Sequence, residues 1–259
     1  MEVDLFETII AQVAPLTELV CFHLMGEPLV HPKLEQLFAI CEKYGAKVFF
    51  VSNGVLLTPK RAELLLSSVL HQVNFSLHSF QDNFPGKDPD DYLEKIFKFT
   101  EAALERRPEL YVNYRLWNLT EPGQDRESNQ RIRTKLEERF QFKLDDAVDV
   151  RIEKSKKIKG RLYLHFDTEF VWPSLDLPTL GTKGTCHGLS SHFGILVDGT
   201  VVPCCLDKEG NIPLGNLRET SIETILASSR SQSILKGFRE RKLTETLCQK
   251  CNYITRFGA

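Results

Sequence analysis

The sequence lacks any apolar run of the roughly 18 residues that would read as a membrane-spanning helix. Its first residues, Met1-Glu2-Val3-Asp4-Leu5, carry no positive stretch ahead of an apolar core and do not read as a secretion signal. It also lacks a charge excess of either sign. The 33 Lys and Arg nearly balance the 35 Asp and Glu, leaving a net charge of −2. That excludes the basic footprint of a nucleic-acid or acidic-membrane binder. Neither nucleic acid nor membrane is therefore expected as a partner, and the expected compartment is the cytoplasm. No internal repeat and no low-complexity segment is present. A chain of 259 residues makes one large domain or two small ones. It also buries enough surface to fold without disulfide staples.

What is there begins with cysteine. The count of seven is odd, which together with the missing secretion signal points to reduced thiols. Cys21 and Cys41 lie inside apolar periodic segments and read as small buried hydrophobes. The others gather late in the chain. Cys186 stands alone, Cys204 closes an Asp198-Gly199-Thr200-Val201-Val202-Pro203-Cys204 hairpin, and Cys248-Gln249-Lys250-Cys251 is a CxxC pair. A CxxC turn aims two thiolates at one metal, and Cys186 and Cys204 supply two further corners. Four thiolates suit zinc or an iron–sulfur cluster. Cys205 is set aside in favour of Cys204, because successive side chains on a strand point to opposite faces.

The first half alternates helical and strand patterns. Helices are expected over residues 3–14, 32–44, 58–68, 91–106 and 127–140. Strands are expected over 18–24, 47–52, 73–78 and 111–117, with a short one at 148–153. Thr58-Pro59 is an N-cap followed by a proline suited to the first helical position. The basic run from Lys154 to Lys159 reads as a solvated loop. Residues 161–172 read as a strand and a loop, residues 193–202 as a hairpin turned at Asp198-Gly199, and Thr220-Ser221-Ile222-Glu223 as a capping box. Such alternation implies a parallel sheet, whose chemistry sits at the C-terminal ends of its strands. That makes Gly26-Glu27-Pro28, Ser52-Asn53-Gly54, Ser76 and Arg115 candidates. Singly, Gly26 and Gly54 are also explained by strand-to-helix turns, and Ser52 by a capping hydroxyl. His23, His31 and His78 share no metal-ligand spacing and read as core or surface histidines.

Four motifs in order carry a resemblance. Met25-Gly26-Glu27-Pro28-Leu29-Val30-His31-Pro32 resembles the GGEPLLHP segment of radical S-adenosylmethionine (radical SAM) enzymes. Val51-Ser52-Asn53-Gly54-Val55-Leu56-Leu57-Thr58 resembles their TNGxLLT strand end, and Asn74-Phe75-Ser76-Leu77-His78 their ISLDG strand end. The late cysteines, with Leu214-Gly215-Asn216-Leu217, resemble the SPASM/twitch extension. The fold so implied is α/β: a partial (β/α) parallel barrel of about five strands over residues 1–160, lacking its first βα unit. A small cysteine-rich SPASM/twitch domain follows over 161–259.

The resemblance implies roles as well. Gly26, Glu27 and Pro28 would meet the amino group of SAM, and Ser52 and Asn53 its carboxylate or ribose. Ser76 would face the cavity; Arg115, from its place at a strand end, is expected to bind a substrate carboxylate or SAM. Cys186, Cys204, Cys248 and Cys251 would hold an auxiliary 4Fe–4S cluster. The substrate would be a small molecule or a peptide, and an electron-donor protein is an expected partner. One family feature is missing: none of the seven cysteines forms the CxxxCxxC that holds the SAM-cleaving cluster. SAM chemistry is thus expected only of a form that has this loop. The alternatives are a shortened or degenerate radical SAM enzyme and a non-catalytic module binding a cluster or zinc. A chain without its first strand is also expected to associate through the exposed edge.

Overall fold

The computed structural model describes residues 1–119, 127–144 and 154–257. The chain forms two compact units. One comprises Leu19–His23 and Glu27–Phe170; the other comprises Met1–Glu18, Leu24–Gly26 and Val171–Ala259. Helix α1 (Val3–Val13) opens the chain and belongs to the second of these.

The first unit alternates strands and helices as the sequence periodicity requires. Its elements are β1 (Leu19–Phe22), α2 (Leu34–Lys43), β2 (Lys47–Ser52), α3 (Pro59–Leu65), β3 (Leu70–Phe75), α4 (Ser79–Asn83), α5 (Asp90–Arg106), β4 (Tyr111–Leu119), α6 (Glu127–Phe140), β5 (Ser155–Lys159) and β6 (Leu162–Thr168). Local chemistry sets several boundaries. The Thr58 hydroxyl accepts from Arg61 N, with Pro59 at the first position of α3. Gly45, at φ +71, ends α2 where a side chain would be strained.

The strands join in one six-stranded sheet, in the order β1-β2-β3-β4-β6-β5. Every pairing is parallel except that of the edge strand β5 with β6. The expected parallel α/β sheet is therefore present, with six strands rather than about five. The strand expected at 148–153 lies outside the described residues. The basic run read as a solvated loop is β5. Its lysines occupy the open edge, where charge discourages pairing with another chain. The expected border at 160/161 falls in the turn between β5 and β6, and the compact units part at Phe170/Val171.

One face of the sheet is apolar and covered by helices. Phe50 stands edge-on to Phe38 of α2 with ring centres 6.0 Å apart, Phe75 meets Phe99 of α5 at 5.6 Å, and Tyr114 meets Phe97 of α5 at 6.2 Å. The Tyr114 hydroxyl lies 2.6 Å from Thr100 Oγ1, so this layer buries its polar atoms in pairs. The opposite face carries Val51, Asn74, Asn113 and Tyr163 in register across four strands, with Arg115 beside His165 in the next row. Strand alternation predicts two faces, and here one is apolar and the other polar and aromatic. Cys21, expected to be buried, is exposed, because the pairing order leaves β1 with a neighbour on one side only.

The second unit holds α1 and a three-stranded antiparallel sheet in the order β7 (Gly194–Ile195), β8 (Thr200–Val202) and β9 (Gly215–Asn216). Helices α7 (Ile222–Ala227), α8 (Ser229–Arg239) and α9 (Thr246–Gln249) follow. The hairpin turns at Asp198-Gly199 as expected. The Asp198 carboxylate accepts from Thr200 N and Oγ1, each at 3.0 Å. Ser221 caps α7, and α1 is tied in by Gln12, whose side-chain oxygen accepts from Ile222 N at 3.0 Å.

Two predictions follow from the packing of the sheet. Ile96 is 0% exposed, so Ile96→Ala should cost about 2–5 kcal/mol. Urea unfolding with an unshifted midpoint would show that α5 is not packed as described. His165 is held below its ordinary value of 6.5, first by burial and then by the Arg115 charge. The neutral ring therefore belongs to the folded state, while the unfolded chain takes up the proton near 6.5. Stability should be full above that pH and fall as pH drops through it. His165→Gln should flatten the fall, and equal slopes for the two proteins between neutral and mildly acidic pH would contradict the assignment.

Candidate functional site

The strand ends of the first unit are linked by one carboxylate. Glu27 precedes a short 3-10 turn, Pro28–Val30, and Oε1 accepts from Leu29 N at 2.9 Å. The same oxygen accepts from the Ser52 hydroxyl at 2.9 Å, and Oε2 accepts from Asn53 N at 2.7 Å. Three of the roughly four acceptor positions of a carboxylate are thus filled by the chain. One remains for an incoming donor such as an ammonium.

Ser52 is 2% exposed. Its oxygen also accepts from Gly54 N at 2.9 Å. The hydroxyl is therefore used to hold Glu27 and the turn. Asn53 is fixed on three sides: its N–H goes to Glu27, its side-chain oxygen accepts from Val55 N, and its carbonyl accepts from Tyr92 Oη at 2.8 Å. Burial, and secondly the Glu27 charge, hold the Tyr92 phenol above its ordinary range, so it stays a donor. Gly54 sits at φ +73, where an added Cβ would lie 2.7 Å from Ile96 Cδ1. Gly26 is at φ +90 with open space around it, so conformation alone calls for glycine there.

Ser76 and Arg115 join this edge through the backbone. Ser76 N donates to Ser52 O at 2.9 Å, and His78 N donates to Arg115 O at 3.4 Å. Trp117 N donates to His78 Nδ1 at 3.3 Å, so this imidazole serves the sheet end. The Arg115 guanidinium lies 4.0 Å over the Trp117 ring. With the Asn74 amide oxygen turned toward it, Arg115 donates from Nε at 2.9 Å and also from Nη2. The Gln72 and Asn113 amides each stand 2.9 Å from that of Asn74. Burial among neutral groups lowers the guanidinium pKa to about 10. A cation so placed favours an anionic ligand. Tyr92, Asn74 and Asn113 were not singled out from the sequence. The available signal was the pair of amides two residues apart in β3, Gln72 and Asn74, with a third at Asn113 of β4.

In the second unit two of the cysteines sit on an apolar floor. Ile212, Ile234, Phe238, Leu243 and Leu247 form it, and Cys186 and Cys248 pack against it. The segment before Cys186 is laced alongside: Leu243 N donates to Thr182 O, and Gly184 N to Arg241 O, both at 2.9 Å. Gly188 comes so close to the Cys204 turn that a Cβ would meet Pro203 O at 3.1 Å and Cys204 Cβ at 3.6 Å. The CxxC turn is closed by Cys251 N donating to Cys248 O at 3.3 Å. Between the two cysteines, Lys250 Nζ donates to Leu175 O at 2.7 Å and to Leu177 O.

Burial pushes the Cys204 thiol up to about 12 and raises Cys248, Cys251 and Cys205 as well. Each also feels the charge of neighbouring thiols. Cys204 feels Cys205 and Cys186, and Cys248 feels Cys204, Cys186 and Cys251. Cys186, Cys204, Cys248 and Cys251 thus lie in one region of the second unit. Among the described residues, no three Cys, His, Asp or Glu side chains converge on a point that would hold a single ion. In an iron–sulfur cluster the thiolates attach to different irons, so proximity around an apolar floor fits the group.

Two features here correct the sequence reading. Strand β8 ends at Val202, so Cys204 and Cys205 lie in a turn and strand alternation does not separate them. Asp207, not singled out before, is 1% exposed, and its carboxylate accepts from Asn211 N at 2.7 Å and Ile212 N at 2.8 Å.

The model of an iron–sulfur cluster-binding domain, SPASM, matches residues 186–252, and the radical SAM superfamily model matches residues 1–127. A comparison with curated proteins gives no match. Among solved structures, BtrN in complex with AdoMet and 2-DOIA is similar at 17% identity and a TM-score of 0.59, over 97% of this chain and 80% of that one. Streptococcus suis SuiB is similar at 14% identity and a TM-score of 0.58, over 100% of this chain and 68% of that one. His-tagged anSMEcpe with bound AdoMet is similar at 15% identity and a TM-score of 0.54, over 98% and 74%. At these identities the likeness is one of fold. With both family models matched in order along it, the chain belongs to the radical SAM superfamily and carries a C-terminal SPASM domain.

Proposed function

We propose that this chain is a radical SAM/SPASM-type iron–sulfur protein with two ligand sites. The strand-end edge around Glu27, Asn53, Ser76 and Arg115 receives the amino-acid end of S-adenosylmethionine. Cys186, Cys204, Cys248 and Cys251 hold an auxiliary 4Fe–4S cluster. The observation that carries the reading is the packing of Cys186 and Cys248 on one apolar floor, within the residues matched by the cluster-binding domain.

The division of labour follows from the residues. Glu27 keeps an acceptor position for an ammonium, while Ser52 and Tyr92 hold the turn that aims it. Arg115 offers a guanidinium, flat against Trp117, to a carboxylate. The apolar floor keeps water from the thiols, and Asp207 orders the loop that follows Cys204. A bound auxiliary cluster supplies one-electron transfer or a coordination position for substrate. The family's SAM-cleaving cluster is another matter. The seven cysteines contain no CxxxCxxC, so the residues of this chain do not fit that group.

The proposed substrate is a small molecule or a peptide, served by an electron-donor protein in the cytoplasm. BtrN was solved with 2-DOIA and SuiB with its precursor peptide SuiA. The missing CxxxCxxC favours a second reading, a non-catalytic module holding zinc or a cluster.

Protein purified without oxygen should carry about four irons and four sulfides per chain, lost on Cys251→Ala. One zinc and no sulfide would replace the first reading by the second. Equilibrium dialysis should show S-adenosylmethionine binding that Glu27→Gln weakens by about 10- to 100-fold, the loss of a charge-assisted hydrogen bond. Equal affinity in a variant of unchanged circular dichroism would remove Glu27 from the site.

A further inference from the structure

Strand β3 pairs along β4 only as far as Phe75, which stands opposite Tyr114. On its other side, the pairing of β4 with β6 turns irregular between Leu116 and Leu119. Backbone groups beyond the last regular pair still need partners. On the β3 side His78 supplies them. Its N–H donates to Arg115 O at 3.4 Å, and its ring Nδ1 stands 3.0 Å from Arg115 O and 3.3 Å from Trp117 N. One neutral tautomer donates from Nδ1 to the carbonyl, and the other accepts there from the Trp117 N–H. In either state the ring is tied to the backbone between residues 115 and 117. The residues around it are themselves anchored. Ser76 N donates to Ser52 O at 2.9 Å, and Ser79 N and Oγ donate to Ser76 O at 3.1 Å and 2.6 Å.

That stretch of backbone carries the cation of the strand-end site. The Arg115 guanidinium lies 4.0 Å over the Trp117 ring, two residues along the strand. With the Asn74 amide oxygen turned toward it, its Nε and Nη2 are spent there. Three of the five guanidinium N–H groups then remain for a ligand. Paired bonding to a carboxylate depends on the plane in which the guanidinium is held. We propose that His78 is a positioning residue for Arg115. Through Nδ1 it fixes the backbone from 115 to 117, and so sets the plane in which the guanidinium meets the carboxylate of S-adenosylmethionine. The inference rests on the S-adenosylmethionine reading above.

The test is equilibrium dialysis of the full chain against two ligands: S-adenosylmethionine and its decarboxylated form, which keeps the ammonium and lacks the carboxylate. An asparagine places a hydrogen-bonding atom where histidine has Nδ1, whereas a glutamine places its amide nearer Nε2. His78→Gln should weaken S-adenosylmethionine binding about 3- to 10-fold, a part of the roughly 10- to 100-fold loss expected of Arg115→Gln. His78→Asn should bind as wild type does. Neither His78 variant should change the affinity for the decarboxylated ligand, and His78→Gln should cost nothing further once Arg115→Gln is in place. Equal losses on both ligands would overturn the proposal, as would a loss that adds in full to that of Arg115→Gln. So would a His78→Asn variant as weak as His78→Gln, or a His78→Gln variant as tight as wild type. Circular dichroism guards against a folding defect, and His78→Ala carries the same expectation should the glutamine variant unfold. Wild type that binds no S-adenosylmethionine, or binding that Arg115→Gln leaves unchanged, would overturn the reading of the site and the proposal with it. That outcome is distinct from a failure confined to His78.

Discussion

A carboxylate bonded on both oxygens to its own chain organises the chemistry of the sheet. Glu27 takes donors from Leu29, Ser52 and Asn53, and so joins the turn after β1 to the turn after β2. From Ser52 the connection passes through its carbonyl to Ser76 at the end of β3, and from His78 to the Arg115 carbonyl in β4. Parallel strands leave a row of backbone groups at their C-terminal edge that must find partners. Here they are satisfied by one another and by a charged side chain. Leaving a single partner unpaired would cost roughly 1–3 kcal/mol. The order that supports the sheet thus also fixes the polar groups of this strand-end edge.

The Cys unit solves a different problem. Cys186 and Cys248 are placed against apolar side chains, and burial raises the pKa values of Cys204, Cys205, Cys248 and Cys251. A metal centre reverses that preference by supplying the compensating charge. The surroundings are therefore matched to a thiolate set only when a cation is part of it. Asp207, the Gly188 approach and the lacing of 182–184 onto 241–243 order the loops through hydrogen bonds and close glycine packing.

Much of this was legible in the sequence. Apolar periodicity shows α1, α2, α3, α5 and α6 and the first four strands, while α4, α8 and α9 went unread. Thr58-Pro59, Asp198-Gly199 and Ser221 mark turns and caps by local chemistry that tertiary contacts do not override. The ordered motifs and the cysteine spacing lead to both candidate sites. What stayed hidden depends on pairing. Lys154 to Lys159 reads as solvated, and β5 becomes a strand only because β6 lies beside it. The amides of Gln72, Asn74 and Asn113 look scattered until register brings them side by side. Cys205 was set aside on a rule for strands, and the strand ends three residues before it. Asp207 gave no signal, since its partners are the N–H groups of the loop that follows it.

Lys250 stands between the two thiols of the CxxC turn, and its ammonium is spent on the carbonyls of Leu175 and Leu177. The side chain acts as a tether from the cysteine turn to a distant stretch of chain, which carries the exposed Val171, Trp172, Leu175 and Leu180. Leu180 N also donates to Gln249 O at 2.8 Å, so a displacement of this apolar stretch would carry to the turn between the two sulfurs through backbone and side chain together.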